Sequence, residues 1–236
     1  MMHSSDRLAW AFYVLSISIM ALGIGLAVWN YPGEFDWTRD VISGLASRKY
    51  NPQGGIWLSG ALGVSMGLLW PVVDRLRAPD VRRDRIEWIS IGALRCGLVF
   101  GMLVAIERLA VRHLSDQIYQ AHEALAFATF LCLFCGTLGL SLQVSRRGEH
   151  ASWAFLSVSV PLAAIGISQL LLYLRRRGAG WTDKEAEADI PTWLSFAFWQ
   201  WLAIVALWAS VGLLLIASTS EVPKRPPKGA ENETGS

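Results

Sequence analysis

The chain has 236 residues, of which 53% are hydrophobic and 17% are charged, and it contains 12 tryptophans. Its apolar residues fall in runs of about 20, the length of a membrane-spanning helix. This distribution excludes a soluble globular enzyme and a disulfide-stapled secreted domain, and the net charge of +2 is too small to indicate a nucleic-acid partner.

The sequence predicts an all-α, polytopic membrane protein with one domain, a six-helix transmembrane bundle over residues 1–217. Each span is expected to be helical because unpaired backbone groups cannot face lipid. The six predicted spans are 8–29, 54–73, 88–109, 122–142, 153–174 and 193–217. Residues 218–236 contain three prolines and no apolar periodicity, which predicts a disordered cytoplasmic tail.

The positions of lysine and arginine indicate the orientation of the bundle. The membrane side that carries the amino terminus holds 11 of the 21 basic residues, the opposite side holds 9, and Arg95 lies inside the third span. Five of the 11 belong to the short loop after the second span, and short basic loops favour the cytoplasm. We therefore expect both termini in the cytoplasm, although the arginines at 175–177 oppose this orientation.

Tryptophan and glycine positions predict where the helices meet the membrane surface and each other. Seven of the 12 tryptophans lie near span ends, where an amphipathic indole ring belongs. Gly63 and Gly67 in the second span, and Gly97 and Gly101 in the third, have the four-residue spacing that lets backbones approach closely. Spans two, three and four are therefore expected to form the tightest part of the bundle.

Arg95 lies seven residues into the third predicted span. This position is about 10 Å deep at 1.5 Å per residue. No other span supplies an acid at that depth, so the side chain is expected to extend back to the cytoplasmic interface or to pair with backbone carbonyls. Ionisable residues within a span are also functional candidates, and Arg95 is therefore a candidate ligand-binding residue.

The largest group of polar residues is predicted at the opposite face. The third span ends with Glu107 and Arg108, the fourth begins with His122 and Glu123, and adjacent antiparallel helices bring these ends together. The loop between spans one and two contributes Asp40 on the same side. A histidine beside carboxylates can hold a proton, a metal or a lipid headgroup. The alternative is a structural polar cap on the helix ends.

The sequence has no other motif typical of catalysis or cofactor binding. It contains no HExxH pair, no phosphate-binding Walker loop and no dinucleotide glycine pattern. Ser43, which precedes Gly44, is the only serine that we consider as a nucleophile, and no base for it is evident. We therefore predict neither a metal site nor a cofactor.

Two segments resemble a known family. The segment RDVISGLASRKYNPQGGIWLSGALG, residues 39–63, resembles the first-loop and second-span signature of six-helix membrane proteins related to DRAM and Sfk, and resembles their bacterial relatives of unknown function more closely. The matching positions are Asp40, Ile42, Ser43, Leu45, Ala46 and Pro52. The segment HEALAFATF, residues 122–130, is similar to the start of the family's fourth span.

This resemblance covers roughly residues 8–217. It implies a six-helix bundle with cytoplasmic termini, located in a bacterial inner membrane. For eukaryotic members it implies roles in membrane lipid organisation, sterol or phospholipid handling, autophagy or lipid-anchor remodelling. It implies no settled catalytic set, so Asp40, Ser43 and His122 are matching positions without an assigned role.

Three functional hypotheses follow. The first is a non-enzymatic, lipid-interacting protein whose polar pocket lies at the outer face, between the first loop and the junction of spans three and four. Its candidate ligand-binding residues are His122, Asp40, Glu107 and Arg95. The second is an intramembrane enzyme that acts on lipid headgroups, with His122 as general base and Asp40 or Glu123 orienting it. The third is a small transporter or membrane-complex subunit. Membrane lipids are the expected partners, and a membrane protein or a second copy of the chain is an alternative.

Overall fold

The computed structural model describes residues 4–47, 50–77, 85–111, 117–146, 151–178 and 191–220. All regular secondary structure in these residues is helical, which confirms the all-α prediction. The helices in chain order are α1 (Ser4–Trp29), α2 (Ile42–Leu45), α3 (Gly55–Arg75), α4 (Arg85–Ile106) with a π-helix (Glu107–Val111), α5 (Gln117–Ser145), α6 (Ala151–Gly178), a 3-10 turn (Thr192–Leu194) and α7 (Phe196–Ser220).

Six of these helices, all except α2, are long and apolar enough to cross a membrane. The protein is therefore an integral, multi-pass membrane protein, as the hydrophobic runs predict. The helices extend beyond several predicted spans because the polar first and last turns continue the same backbone hydrogen bonding. Helix α7 includes residues 218–220, and the rest of the predicted tail, residues 221–236, lies outside the described part of the chain.

Consecutive spans are antiparallel neighbours, as contacts between helix pairs indicate. Ser16 of α1 hydrogen-bonds Ser65 of α3, with 3.0 Å between the hydroxyl oxygens. Ser141 of α5 pairs in the same way with Ser159 of α6, at 3.2 Å. We call the side where α1 begins the amino-terminal face, and the side where α1 ends and α3 begins the loop-one face, loop one being residues 30–54.

Helix α7 packs on α6 and α5 and closes the bundle against α1. The Tyr13 hydroxyl of α1 donates a hydrogen bond to the Trp208 carbonyl oxygen of α7 at 2.8 Å. The Tyr13 ring also contacts the position of Gly212, where only hydrogen leaves room for it. The first and last spans are therefore joined by one buried aromatic side chain.

Glycines bring α3, α4 and α5 into close contact, as predicted for spans two, three and four. The contact of α1 with α3 at Gly23 and Ala61 is at least as close, and Gly67, one of the predicted packing positions, has nothing within 4 Å of an added Cβ atom. A Cβ atom at Gly97 would lie 2.8 Å from the Leu133 side chain, and one at Gly136 would lie 2.8 Å from the Ser90 carbonyl oxygen. A Cβ atom at Gly101 would lie 3.0 Å from Met66. Van der Waals packing drives helix association in lipid, so these close approaches position the end of α4 against α5.

Most of the exposed tryptophans mark helix ends. Trp29, Trp57, Trp88, Trp153 and Trp193 are all largely exposed and lie within a few residues of a span terminus. Trp208, which is deeper in α7, is instead part of the buried apolar core. Indole rings at the ends are suited to the headgroup layer, whereas the buried ring fills the space between helices.

Candidate functional site at the end of the third span

The end of α4 departs from α-helical geometry where the polar residues begin. Residues Glu107–Val111 form a π-helix, whose wider turn accommodates one additional residue and is frequent at functional sites. Helix α3 packs against this turn as well as against α4. The π-helix therefore presents Glu107 and Arg108 from a backbone that is held by a neighbouring span.

Glu107 and His122 form a direct pair between α4 and α5. The Glu107 Oε2 atom lies 2.9 Å from the His122 Nδ1 atom, and the two residues are only 9% and 6% exposed. The antiparallel register of α4 and α5 brings these positions together, because Gly97 lies against Leu133 three turns deeper. The carboxylate contact occupies Nδ1, which leaves Nε2 as the ring nitrogen that can meet a ligand or exchange a proton.

Arg108 completes the cluster. Its Nε atom lies 3.6 Å from the same Glu107 oxygen, and the residue is 8% exposed. A carboxylate thus lies between a guanidinium and an imidazole inside the bundle, and each group would be costly to bury alone. We refer to Glu107, Arg108 and His122 as the Glu107 cluster. Glu123, the next residue along α5, is exposed and makes no contact within this cluster.

Asp40 lies in a different cluster, where loop one contacts the start of α7. Its Oδ2 atom accepts a hydrogen bond from the Asp36 amide at 3.0 Å, and its carbonyl oxygen accepts one from Trp201 Nε1 at 3.2 Å. The nearby Ile42 amide donates to Gln200 Oε1 at 3.0 Å. The structure therefore places Asp40 with α7, apart from the Glu107 cluster.

Charges and hydrogen bonds within loop one shift two pKa values there. The hydroxyl and amide of Thr38 both donate to Asp36 Oδ1 and lower the pKa of that carboxyl group. Burial raises the pKa of Tyr31, and the Asp40 carboxylate adds to this effect. These interactions stabilise the turn at 36–40. Ser43 lies half-buried in α2, and no catalytic partner among the described residues contacts it.

Arg95 lies near the other end of α4 from the Glu107 cluster. Twelve residues separate Arg95 from Glu107, which is about 18 Å along a helix. The Arg95 guanidinium donates to Asp74 Oδ1 at 2.6 Å, and its Cζ atom lies 5.9 Å from the centre of the Trp70 ring. The side chain extends back toward the amino-terminal face, as expected, and there it meets an acid in the last turn of α3 that sequence reasoning did not name as its partner. Arg95 therefore shares no pocket with Glu107 and His122.

Sequence reasoning brought the helix ends with Glu107, Arg108 and His122 together but did not name Arg108 as a site residue. It also did not assign Asp74 to Arg95. The register of α3 against α4 places Asp74 beside Arg95. Both residues lie toward the loop between these two helices, and pairing the polar residues near that loop would have suggested this contact. Among the described residues, no group of three or more His, Cys, Asp or Glu side chains is placed to hold a metal ion.

Comparison with protein families gives a match over most of the chain. Residues 14–217 match a family described as "Protein of unknown function (DUF998)". The chain belongs to the DUF998 family. The match covers all six spans, except for the first turns of α1 and the last turn of α7. It therefore includes the Glu107 cluster and loop one. No curated protein and no solved structure matches the chain.

Proposed function

We propose that this DUF998 protein is a non-enzymatic membrane protein that binds a membrane lipid through the Glu107 cluster. The supporting observation is the burial of three ionisable side chains at the end of two adjacent spans. Groups of this kind inside a membrane are expensive and commonly mark a binding or transfer site. The cluster contains both charges, which suits a zwitterionic headgroup: Arg108 can meet a phosphate and Glu107 an ammonium group.

His122 supplies the third contact in this proposal. Its Nε2 atom makes no hydrogen bond within the described residues, so it can meet a headgroup oxygen while Nδ1 stays on Glu107. Asp40, which the sequence also suggests as a ligand-binding residue, does not contact the lipid in this proposal. Its role is to hold loop one on α7. Acyl chains would then lie along exposed apolar side chains of α4 and α5, such as Ile106 and Phe127.

Native mass spectrometry of the purified protein tests this proposal. We expect a lipid to co-purify with the unmodified chain and with the Glu123→Gln control, which changes an exposed neighbour of the site. His122→Ala should lose this lipid. His122→Gln keeps a hydrogen-bond donor for Glu107 and is therefore expected to fold. Loss of the lipid in this variant would report lost binding and not lost folding. Equal lipid occupancy in folded His122→Gln and His122→Ala samples and in the unmodified chain would contradict the proposal.

An enzyme that acts on lipid headgroups is the second candidate, and the 2.9 Å Glu107–His122 contact favours it. A carboxylate on Nδ1 orients an imidazole so that Nε2 can act as general base, and Glu107 would take the orienting role considered for Asp40 or Glu123. Incubation with radiolabelled phospholipids tests this candidate. A product that forms with the unmodified chain but not with His122→Gln would replace the binding proposal, and absence of any product would rule against the enzyme.

We also propose a location and a wider kinship. The protein would lie in a bacterial inner membrane with both termini in the cytoplasm, and the basic loop between α3 and α4 supports this orientation. The residues that match the DRAM and Sfk pattern, including Asp40 and Pro52, support a distant relationship between that group and this family. A solved DRAM-type structure whose loop one also docks on its last span would strengthen this kinship.

A further inference from the structure

A second candidate site lies on the loop-one face, apart from the Glu107 cluster. An open cavity of about 380 Å³ lies between the end of α1 and the segment that leads into α3. Its volume falls at the lower end of the range for small-molecule sites. Its lining residues are Trp29, Asn30, Tyr31, Pro32, Pro52 and Gln53. None of them belongs to α4 or α5, which carry Glu107 and His122.

Asn51 holds the two walls of this cavity in fixed positions. It is fully buried, and its Nδ2 atom donates to the Ala27 carbonyl oxygen at 2.8 Å, next to the α1 wall. Its Oδ1 atom accepts from the Gly54 amide at 2.9 Å, next to the wall formed by Pro52 and Gln53. Gly33, which follows the lining residue Pro32, adopts a φ of +107° that other residues rarely adopt. The cavity is therefore shaped by the fold before any ligand arrives.

The chemistry of the lining disfavours anionic headgroups. Two aromatic rings, two prolines and two carboxamides line the cavity, and no lining residue carries a charge. A phosphate group entering it would lose hydration without gaining an opposite charge. A sugar ring carries no charge, presents C–H faces to aromatic rings and offers hydroxyls to carboxamides. Gln53 is exposed and has no partner among the described residues, so both its amide donor and its acceptor are available.

The position of the cavity indicates a sugar that is attached to a lipid. Trp29 is 88% exposed at the last residue of α1, where an indole ring lies at the depth of the headgroups. Val28 and Ile56, both exposed, lie within three residues of the lining along the chain and offer apolar surface to acyl chains. We propose that this cavity binds the neutral sugar headgroup of a membrane glycolipid, with Trp29 and Tyr31 against the ring and Gln53 on its hydroxyls.

Native mass spectrometry of the full chain, in a detergent without a sugar headgroup, tests this proposal. The probes are monoglucosyl-dioleoylglycerol, dioleoylglycerol with the same tails, and methyl glucoside, which has the sugar alone. We expect the glycolipid to bind at least about threefold more tightly than dioleoylglycerol, the gain from one or two hydrogen bonds and a stacked ring. Equal binding of the two lipids, or methyl glucoside binding as tightly as the glycolipid, would overturn the proposal.

Four variants assign the binding to this cavity. Gln53→Ala changes an exposed side chain, so it leaves the fold intact, and we expect it to weaken glycolipid binding about two- to tenfold. Trp29→Ala should weaken binding similarly, whereas Trp57→Ala, an exposed tryptophan outside the cavity on the same face, should not. Unchanged binding in Gln53→Ala and Trp29→Ala would overturn the assignment. His122→Gln should leave glycolipid binding intact, so this site and the Glu107 cluster succeed or fail independently.

Discussion

Asn51 joins three parts of the chain, namely the end of α1, the end of α2 and the start of α3. Its carboxamide bonds the Ala27 and Leu45 carbonyl oxygens and the Gly54 amide, and no part of the side chain reaches solvent. Buried backbone groups that lose such a partner keep the full cost of leaving water. The helix ends of α1 and α3 therefore depend on this one residue more than on the exposed charges around them.

Asn51→Ala is expected to lower the free energy of unfolding by about 2–4 kcal/mol, since three hydrogen bonds are lost and their partners stay buried. Unfolding of the detergent-solubilised protein by sodium dodecyl sulfate, followed by circular dichroism, measures the change. Asn30→Ala is the control, because it removes a single half-buried hydrogen bond to Leu26 and should cost about 1 kcal/mol or less. Equal losses in the two variants would contradict this role for Asn51.

Two acidic residues pair with arginines near the amino-terminal face, and the pairs differ in burial. Arg75 lies 2.5 Å from buried Asp6 and joins α3 to α1. Arg95 lies 2.6 Å from half-exposed Asp74 and joins α4 to α3. Water and salt screen the second pair more strongly than the first.

Asp6→Asn should therefore destabilise the protein by about 1–3 kcal/mol, as expected for a hydrogen bond to a charged group. Asp74→Asn should cost less than about 1 kcal/mol, because the exposed pair is screened. The same unfolding titration compares them directly. A larger loss of unfolding free energy in Asp74→Asn than in Asp6→Asn would show that burial does not determine which pair contributes more to stability.

At the scale of elements, close helix contact at glycine positions determines where the polar residues meet. Gly136 faces the backbone of α4, and a Cβ atom there would lie 2.8 Å from the Ser90 carbonyl oxygen and 2.9 Å from the Leu94 nitrogen. Gly92 is also helical but faces open space, with nothing within 4 Å of its added Cβ. Alanine substitutions at the two positions therefore distinguish the effect of helix packing from that of helix propensity.

Gly136→Ala should destabilise the bundle by about 1–3 kcal/mol, because α4 and α5 must move apart. Gly92→Ala should be neutral or stabilising by up to about 1 kcal/mol, because alanine is the better helix former. Thermal unfolding of both variants in the same detergent measures the difference. We also expect Gly136→Ala to reduce lipid co-purification, since α5 carries His122. Destabilisation by Gly92→Ala equal to that by Gly136→Ala would refute the packing argument.

For the whole molecule, loop one closes the bundle as well as connecting two spans. Gln200 and Trp201 of α7 hold the backbone of Ile42 and Asp40, and the Ser195 hydroxyl donates to the Thr38 carbonyl oxygen. Phe35 packs edge-on against Trp201 at 6.0 Å between ring centres. Helix α7 thus holds loop one at the loop-one face, which carries both candidate sites.

The proposed orientation makes a direct prediction for labelling in cells. In a variant whose three cysteines are replaced by serine, a new cysteine at the exposed residue Gln53 should react with a membrane-impermeant maleimide added to spheroplasts. A cysteine at the exposed residue Ser4 should react only after permeabilisation. An even number of spans places both termini on one side, so labelling of Ser4→Cys in intact spheroplasts would reverse the orientation of the whole protein.

Much of the fold could be predicted from local pattern, and part of the site could as well. The six spans, the interfacial tryptophans and the close packing at Gly97 and Gly136 follow from hydrophobic length and residue size. The approach of His122 to Glu107 follows from the antiparallel order of neighbouring spans. The partners of Asp40 and Arg95 do not, because each depends on the rotation and depth of a helix that is distant in the sequence.

The sequence by itself determined that this chain crosses the membrane six times, because runs of about 20 apolar residues must satisfy their backbone hydrogen bonds within a helix. It also determined which helix ends are polar. Only the tertiary structure decided the other contacts of those polar residues: Arg108 on Glu107, Asp74 on Arg95, and loop one on α7. Side-chain pairing across helices depends on register and rotation, and these are set by packing over the whole bundle.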